Sequence, residues 1–216
     1  MLNPIDLSLY LVLDPELCGG PAAMVRTARL AAENGATVVQ LRAPDWKKRQ
    51  WLETAVELKA ALAPFGVPLI INDHVDIALA VDADGVHVGQ DDLAVAETRR
   101  LIGPAKILGL SVSNAVELAE VPAGVDYLGI GPVYPTGTKP DAAAATGAPL
   151  FGELVAAAGL PVVAIGGINA GNLPPLFAAG THGVAVVSAI CGQGDPARAT
   201  ALLAGTIRQC QLERGA

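Results

Sequence analysis

Residues 161–188 read PVVAIGGINAGNLPPLFAAGTHGVAVVS. Two continuous apolar runs, Pro161–Ile165 and Gly183–Val187, flank a helical segment at Leu173–Ala179. Neither run alternates apolar with polar residues. Strands buried on both faces look like this, and all-parallel sheets contain such strands. The stretch is therefore one βαβ unit, with Ala179-Gly180-Thr181 and His182-Gly183 punctuating the return to the second strand.

Working outward, the same unit recurs. Further strands are expected at Leu9–Leu13, Thr37–Arg42, Val67–Asn72, Gly85–Val88, Lys106–Ser111 and Tyr127–Gly131. Helices are expected at Pro21–Asn34, Trp46–Leu62, Val75–Val81, Leu93–Ile102, Asn114–Glu120, Gly147–Ala158 and Pro196–Leu212. Asn34-Gly35 and Gly103-Pro104 are stop signals, and Asn114 is a capping residue. Eight units share 216 residues, 27 to each. This predicts a single α/β domain over residues 1–216, a (β/α)8 TIM barrel with right-handed crossovers. An open doubly wound sheet is the alternative, but no G-x-G-x-x-G follows the first strand.

Composition narrows the function. Hydrophobic residues make up 52% and charged residues 16%, which excludes a disordered chain. The net charge is −7 and no basic stripe is present, so a nucleic-acid partner is not expected. Lys47-Lys48-Arg49 reads as a solvated helix face. No segment reads as a signal peptide or a membrane span. Cys18, Cys191 and Cys210 are far apart in sequence and form no CxxC spacing, which supports neither a disulfide framework nor a zinc site and fits a reducing cytoplasm. The C-terminal helix carrying Cys210 is a candidate contact for a homo-oligomer.

Active sites of such barrels lie at the C-terminal ends of the strands. Asp14, Gln40-Leu41-Arg42, Asn72-Asp73-His74, His87, Gln90-Asp91-Asp92, Ser111, Gly131–Lys139, Gly166–Asn169 and Ser188 all fall there, and nearly every polar residue beside a strand lies at that end. Asp73 and Asp92 follow neighbouring strands. With waters and a substrate phosphate they suit Mg2+; the competing reading is that each caps the next helix. Gly166-Gly167 and Ser188 follow the seventh and eighth strands, where barrels often hold phosphate at a short helix N-terminus. Thr136, Thr138 and Lys139 lie on a long segment, Tyr134–Gly147, with the reach to clamp a phosphate or act as a lid. Arg42 at the mouth needs an anion, either a substrate or a structural partner such as Asp14 or Asp73. Gln40 can read a heterocycle through its amide. His87 is either a base or a hydrogen-bonded core histidine. Trp46 and Trp51 read as packing residues. These features imply a Mg2+-assisted enzyme acting on small phosphorylated molecules, one of them a diphosphate.

VQLR, IINDHVDIALAVDADGVHVGQDDL, ILGLS, YLGIGPVYPTGTKPDAAAATG, VVAIGGI and GVAVVSAI together resemble the thiamine phosphate synthase family, in the same order over residues 9–190. The resemblance implies a (β/α)8 barrel that joins hydroxymethylpyrimidine diphosphate to thiazole phosphate and releases diphosphate, through a pyrimidine methyl cation. It implies Asp73 and Asp92 as Mg2+ ligands. It implies Arg42, Asn72 and Lys139 as diphosphate contacts, Gln40 as the pyrimidine contact and Ser111 near the reacting centre; Arg42, Ser111 and Lys139 are the catalytic candidates. Thr136, Thr138, Gly167, Val187 and Ser188 would hold thiazole phosphate. Two positions depart from the pattern. Pro44 stands where the family usually has a diphosphate-binding lysine, with Lys47 or Lys48 as distant substitutes. Ser113 stands where many relatives, and the related thiazole tautomerase, have histidine. The alternatives are a divergent enzyme such as a tautomerase, and a non-catalytic barrel that binds thiazole phosphate or thiamine phosphate.

Overall fold

The computed structural model describes residues 5–138 and 144–215. Eight parallel strands close into a barrel in sequence order: β1 (Leu9–Leu13), β2 (Val38–Leu41), β3 (Leu69–Asn72), β4 (Gly85–Val88), β5 (Ile107–Val112), β6 (Tyr127–Ile130), β7 (Val162–Ile165) and β8 (Gly183–Val186). The helices among the described residues are α1 (Pro15–Cys18), α2 (Pro21–Glu33), α3 (Lys48–Leu62), α4 (Val75–Ala80), α5 (Val95–Ile102), α6 (Ala115–Ala119), α7 (Gly147–Ala157), α8 (Pro174–Ala178) and α9 (Pro196–Gly215). None of them is long and apolar enough to cross a membrane.

Each expected strand is present, β1 and β4 with the expected bounds and the others with ends shifted by at most two residues. Helix α1 is additional. It is a single turn, too short for apolar periodicity, and Asp14 caps it by accepting from the Leu17 backbone N–H at 2.9 Å. Asn114 caps α6 as expected, accepting from Val116 and Glu117. Trp51 is buried and its indole donates to the Ala43 carbonyl, so it is a packing residue. Cys210 is also buried, on the core face of α9, and is not available to a partner copy. Cys18 and Cys191 are both free thiols, and the Cys191 Sγ donates to the Val12 carbonyl at 3.7 Å.

Two apolar cores follow from strand alternation. One lies between the barrel and its helices. The other fills the barrel itself and includes Tyr10, Val12, Val38, Ile70, Tyr127, Val163 and Ala185.

The floor of the barrel carries a device that recurs every second strand. The residue preceding an even strand exchanges two hydrogen bonds with the first part of the odd strand before it. Thr37 Oγ1 accepts from Leu9 N at 3.1 Å, Asp84 Oδ2 from Leu69 N at 2.8 Å, Asp126 Oδ2 from Leu108 N at 2.7 Å and His182 Nδ1 from Val162 N at 3.1 Å. In return, each of the four donates its backbone N–H to the carbonyl of the same strand residue. A strand's first N–H has no intrinsic partner at a barrel floor, and these side chains supply one. The expectation that polar residues gather at one end of the strands is corrected here. The N-terminal end has its own set, used for stability. Arg99 extends it by holding the Gly103, Lys106 and Gly124 carbonyls and pairing with Asp126 at 2.7 Å.

Candidate active site

The opposite end opens into a cavity, and its walls follow from the same alternation. Positions 10 and 12, 38 and 40, 70 and 72, 109 and 111, 127 and 129, 163 and 165, and 185 and 187 point inward. The lower of these are apolar and fill the barrel. The upper ones are Val12, Gln40, Asn72, Ser111, Gly129, Ile165 and Val187, all lining the cavity. Arg42, two residues beyond Gln40, lines it too, as do Thr136, Thr138, Gly167 and Ser188. Thus each described residue expected to bind substrate lies in one wall. Lys139, and the Ala142-Ala143 part of the expected lid, lie outside the described residues. The far end of that segment is pinned, since Thr146 N donates to Pro132 O and Gly147 N to Val133 O.

Asp73 and Asp92 are not part of the cavity wall. They follow it, at the ends of the paired strands β3 and β4. The capping reading fails for both, because the N-caps of α4 and α5 are His74 and Ala94. Asp73 has a left-handed backbone, φ 60°, uncommon outside glycine, and its carboxylate accepts from the Asn72 amide at 2.6 Å. Asp92 is exposed and accepts from Gly89 N at 2.8 Å. Among the described residues no group of three His, Cys, Asp or Glu converges on one point. Two separate carboxylates do not make a closed protein cage. They suit an ion that keeps waters and takes its other oxygens from a phosphorylated ligand.

Gly166 and Gly167 have φ of 98° and 64°. A side chain on Gly167 would meet the Pro135 carbonyl at 2.6 Å and Tyr134 Cβ at 2.8 Å. The pair therefore lets the loop after β7 nest under the segment after β6, as well as leaving backbone free at the cavity. Ser188 does not start a helix, correcting that expectation. It opens a single turn in which Cys191 N donates to Val187 O at 2.8 Å.

Around the departing positions, Pro44 is exposed and outside the wall, whereas Ser113 lines it. Lys48 does not replace the lysine that Pro44 displaces. Its ammonium lies 2.9 Å from His74 Nδ1 and 2.8 Å from Asp76. Burial, and then Lys48, lower the His74 pKa below its ordinary value, while Asp76 and Asp92 oppose this.

The sequence reading missed Tyr10 and Tyr127. Both line the cavity floor, fully buried, with hydroxyls 2.8 Å apart. Tyr10 accepts from Gln40 Nε2 at 2.7 Å; Tyr127 reaches His87 Nδ1 at 2.9 Å; His87 Nε2 reaches Ser111 Oγ at 2.9 Å. The core reading of His87 is right, and incomplete, because the histidine contacts Ser111. A signal was available, since a tyrosine inside a buried strand must find a partner for its hydroxyl.

Comparison with known proteins agrees with this architecture. The sequence profile of a family described as thiamine monophosphate synthase matches residues 9–190. The thiamine-phosphate synthase of Laribacter hongkongensis is 56% identical over 200 residues, covering 93% of this chain and 95% of the relative. That of Xanthobacter autotrophicus is 50% identical over 208 residues, covering 96% and 98%. The solved thiamine phosphate pyrophosphorylase of Pyrococcus furiosus superposes with a TM-score of 0.87 at 35% identity, covering 96% and 98%. With this match spanning the barrel from β1 past β8, the chain belongs to the thiamine monophosphate synthase family.

Proposed function

We propose that the protein is a thiamine-phosphate synthase, a transferase of thiamine biosynthesis that joins hydroxymethylpyrimidine diphosphate to thiazole phosphate. The observation that carries this reading is the convergence of Gln40, Arg42, Asn72, Ser111, Thr136, Thr138, Gly167, Val187 and Ser188 on one cavity. Those positions come from six different strand ends and loops, and only the barrel assembles them.

In this reading the Gln40 amide pairs with the pyrimidine edge. Arg42, Asn72 and Lys139 hold the diphosphate, and the Arg42 guanidinium offsets the charge that grows as the C–O bond breaks. Thr136, Thr138, Gly167, Val187 and Ser188 hold the thiazole phosphate so that its ring nitrogen faces the methylene carbon. That nitrogen's lone pair forms the new C–N bond, and diphosphate leaves with the electrons of the old one. Holding both partners in one cavity removes most of the entropy cost of their encounter. Asp73 and Asp92 would hold Mg2+. When bound, the ion would supply positive charge to the departing diphosphate. A cytoplasmic location fits the free thiols.

Ser113 disfavours a tautomerase, because a serine in that wall position offers no imidazole base. The deciding experiment is turnover of both phosphorylated substrates with and without Mg2+, read as thiochrome fluorescence. Mg2+-dependent thiamine phosphate is expected. Binding of thiazole phosphate without turnover would point to a binding barrel.

A further inference from the structure

Four hydrogen bonds run in series through the barrel, Gln40 to Tyr10, Tyr10 to Tyr127, Tyr127 to His87 and His87 to Ser111. They join β2, β1, β6, β4 and β5, and the longest is 2.9 Å. Only the first has a donor fixed by chemistry, since an amide nitrogen cannot accept. That one direction sets the rest. Tyr10 oxygen accepts from Gln40, so its hydrogen goes to Tyr127. Tyr127 oxygen accepts from Tyr10, so its hydrogen goes to His87 Nδ1. With Nδ1 accepting, the ring hydrogen sits on Nε2 and points to Ser111 Oγ. The Ser111 hydrogen is then turned to the cavity.

The geometry points to Tyr10, Tyr127 and His87 as positioning residues: a one-way relay that ties the orientation of the Gln40 amide to the donor role of the Ser111 hydroxyl. This rests on the synthase reading of the cavity and deepens it. Burial raises both phenols above their ordinary value, so the two hydroxyls keep their hydrogens. A 4-aminopyrimidine offers an acceptor ring nitrogen beside a donor amino group. The remaining N–H and the oxygen of the Gln40 amide complement that edge. A ligand with this edge holds the amide in the orientation that makes Ser111 a donor, towards an anionic oxygen or a ring nitrogen of the substrate. A ligand with the reverse edge favours the flipped amide, and every bond of the series reverses with it. Selectivity for the heterocycle is in this way built into the group beside the reacting centre.

The test uses histidine labelled with 15N in the full chain, whose three histidines are assigned with a His87→Gln variant. Long-range NMR correlations then report the tautomer of His87. The wild-type ring is expected to carry its hydrogen on Nε2. Gln40→Glu replaces the only obligatory donor with an acceptor of the same shape, and is expected to move that hydrogen to Nδ1. The same tautomer in both proteins would overturn the relay. Should Gln40→Glu fail to fold, Tyr127→Phe cuts the series instead. It is expected to lower kcat at least tenfold while KM for both substrates stays within threefold; unchanged kcat would overturn the proposal. The tautomer reading needs no turnover. A wild-type protein that makes no thiamine phosphate would sink the functional reading and leave the relay decided by NMR.

Discussion

Gly109 leaves the room that His87 occupies. A Cβ built on Gly109 falls inside the contact distance of His87 Nδ1 and of the Tyr127 ring and hydroxyl. The register explains it, because Gly109 is the cross-strand neighbour of His87 on one side and of Tyr127 on the other. Gly109→Ala should therefore lower stability by at least about 1–3 kcal/mol, the scale of overpacking a tight core. Urea unfolding measures it, and a midpoint equal to wild type would contradict the packing.

Asp92 is exposed and makes one local hydrogen bond, so its removal should spare the fold. Asp92→Ala should leave the unfolding midpoint within about 0.5 kcal/mol of wild type. Turnover in Mg2+ should fall by about a hundredfold or more, the scale of losing several kcal/mol of charge stabilisation. Retained Mg2+-dependent turnover would remove Asp92 from the metal site.

In the proposed synthase reading Pro44 would leave the diphosphate clamp one cation short, and Lys48 is engaged with His74 and Asp76. A charge-assisted phosphate contact is worth about 1.5–3 kcal/mol, or about ten- to hundredfold. Pro44→Lys should raise kcat/KM for the pyrimidine diphosphate within that range. No gain would sink the account that a missing cation limits this site.

Ser188 lines the cavity beside Val187, just after β8. Ser188→Ala should raise KM for thiazole phosphate about tenfold, the cost of a hydrogen bond to a charged group, and should leave KM for the diphosphate nearly unchanged. Steady-state kinetics with each substrate varied in turn separates the two.

Acid should weaken the floor. Burial, and then Arg214, lower the His182 pKa below its ordinary value of 6.5. The unfolded chain thus takes up a proton near pH 6.5 that the folded ring resists, and whose gain would cost Nδ1 its bond from Val162 N. Stability is full above pH 6.5 and declines as pH falls through it. His74 acts in the same direction. The urea midpoint should drop from pH 7.5 to 5.5, and by less in His182→Gln, whose side-chain oxygen still accepts.

The barrel was legible because its strands are uniformly apolar and its helices carry explicit stops. Gln40, Asn72 and Ser111 were legible because strand parity puts them on the inward face at the open end. Tyr10 and Tyr127 were not, since a tyrosine in LYLVL or DYLGI looks like core filling until its partner across the barrel is known. The floor contacts were hidden for a related reason. Thr37, Asp84, Asp126 and His182 share no residue type, and only their place before even strands unites them. The fate of Asp73 needed coordinates as well, because a carboxylate within two residues of a helix start can serve as its cap or turn away from it.

Those floor contacts divide the eight strands into four clasped couples, β1 with β2, β3 with β4, β5 with β6 and β7 with β8. Each couple is continuous in the chain. The gene can therefore be cut and rejoined between couples, after β2, β4 or β6, without separating the two halves of any clasp. The Gln40–Ser111 series respects no such boundary, because it draws on three couples at once. Circular permutation at the couple boundaries should thus conserve the scaffold's own joints, while a half-barrel expressed alone would keep its clasps and have no complete catalytic cavity.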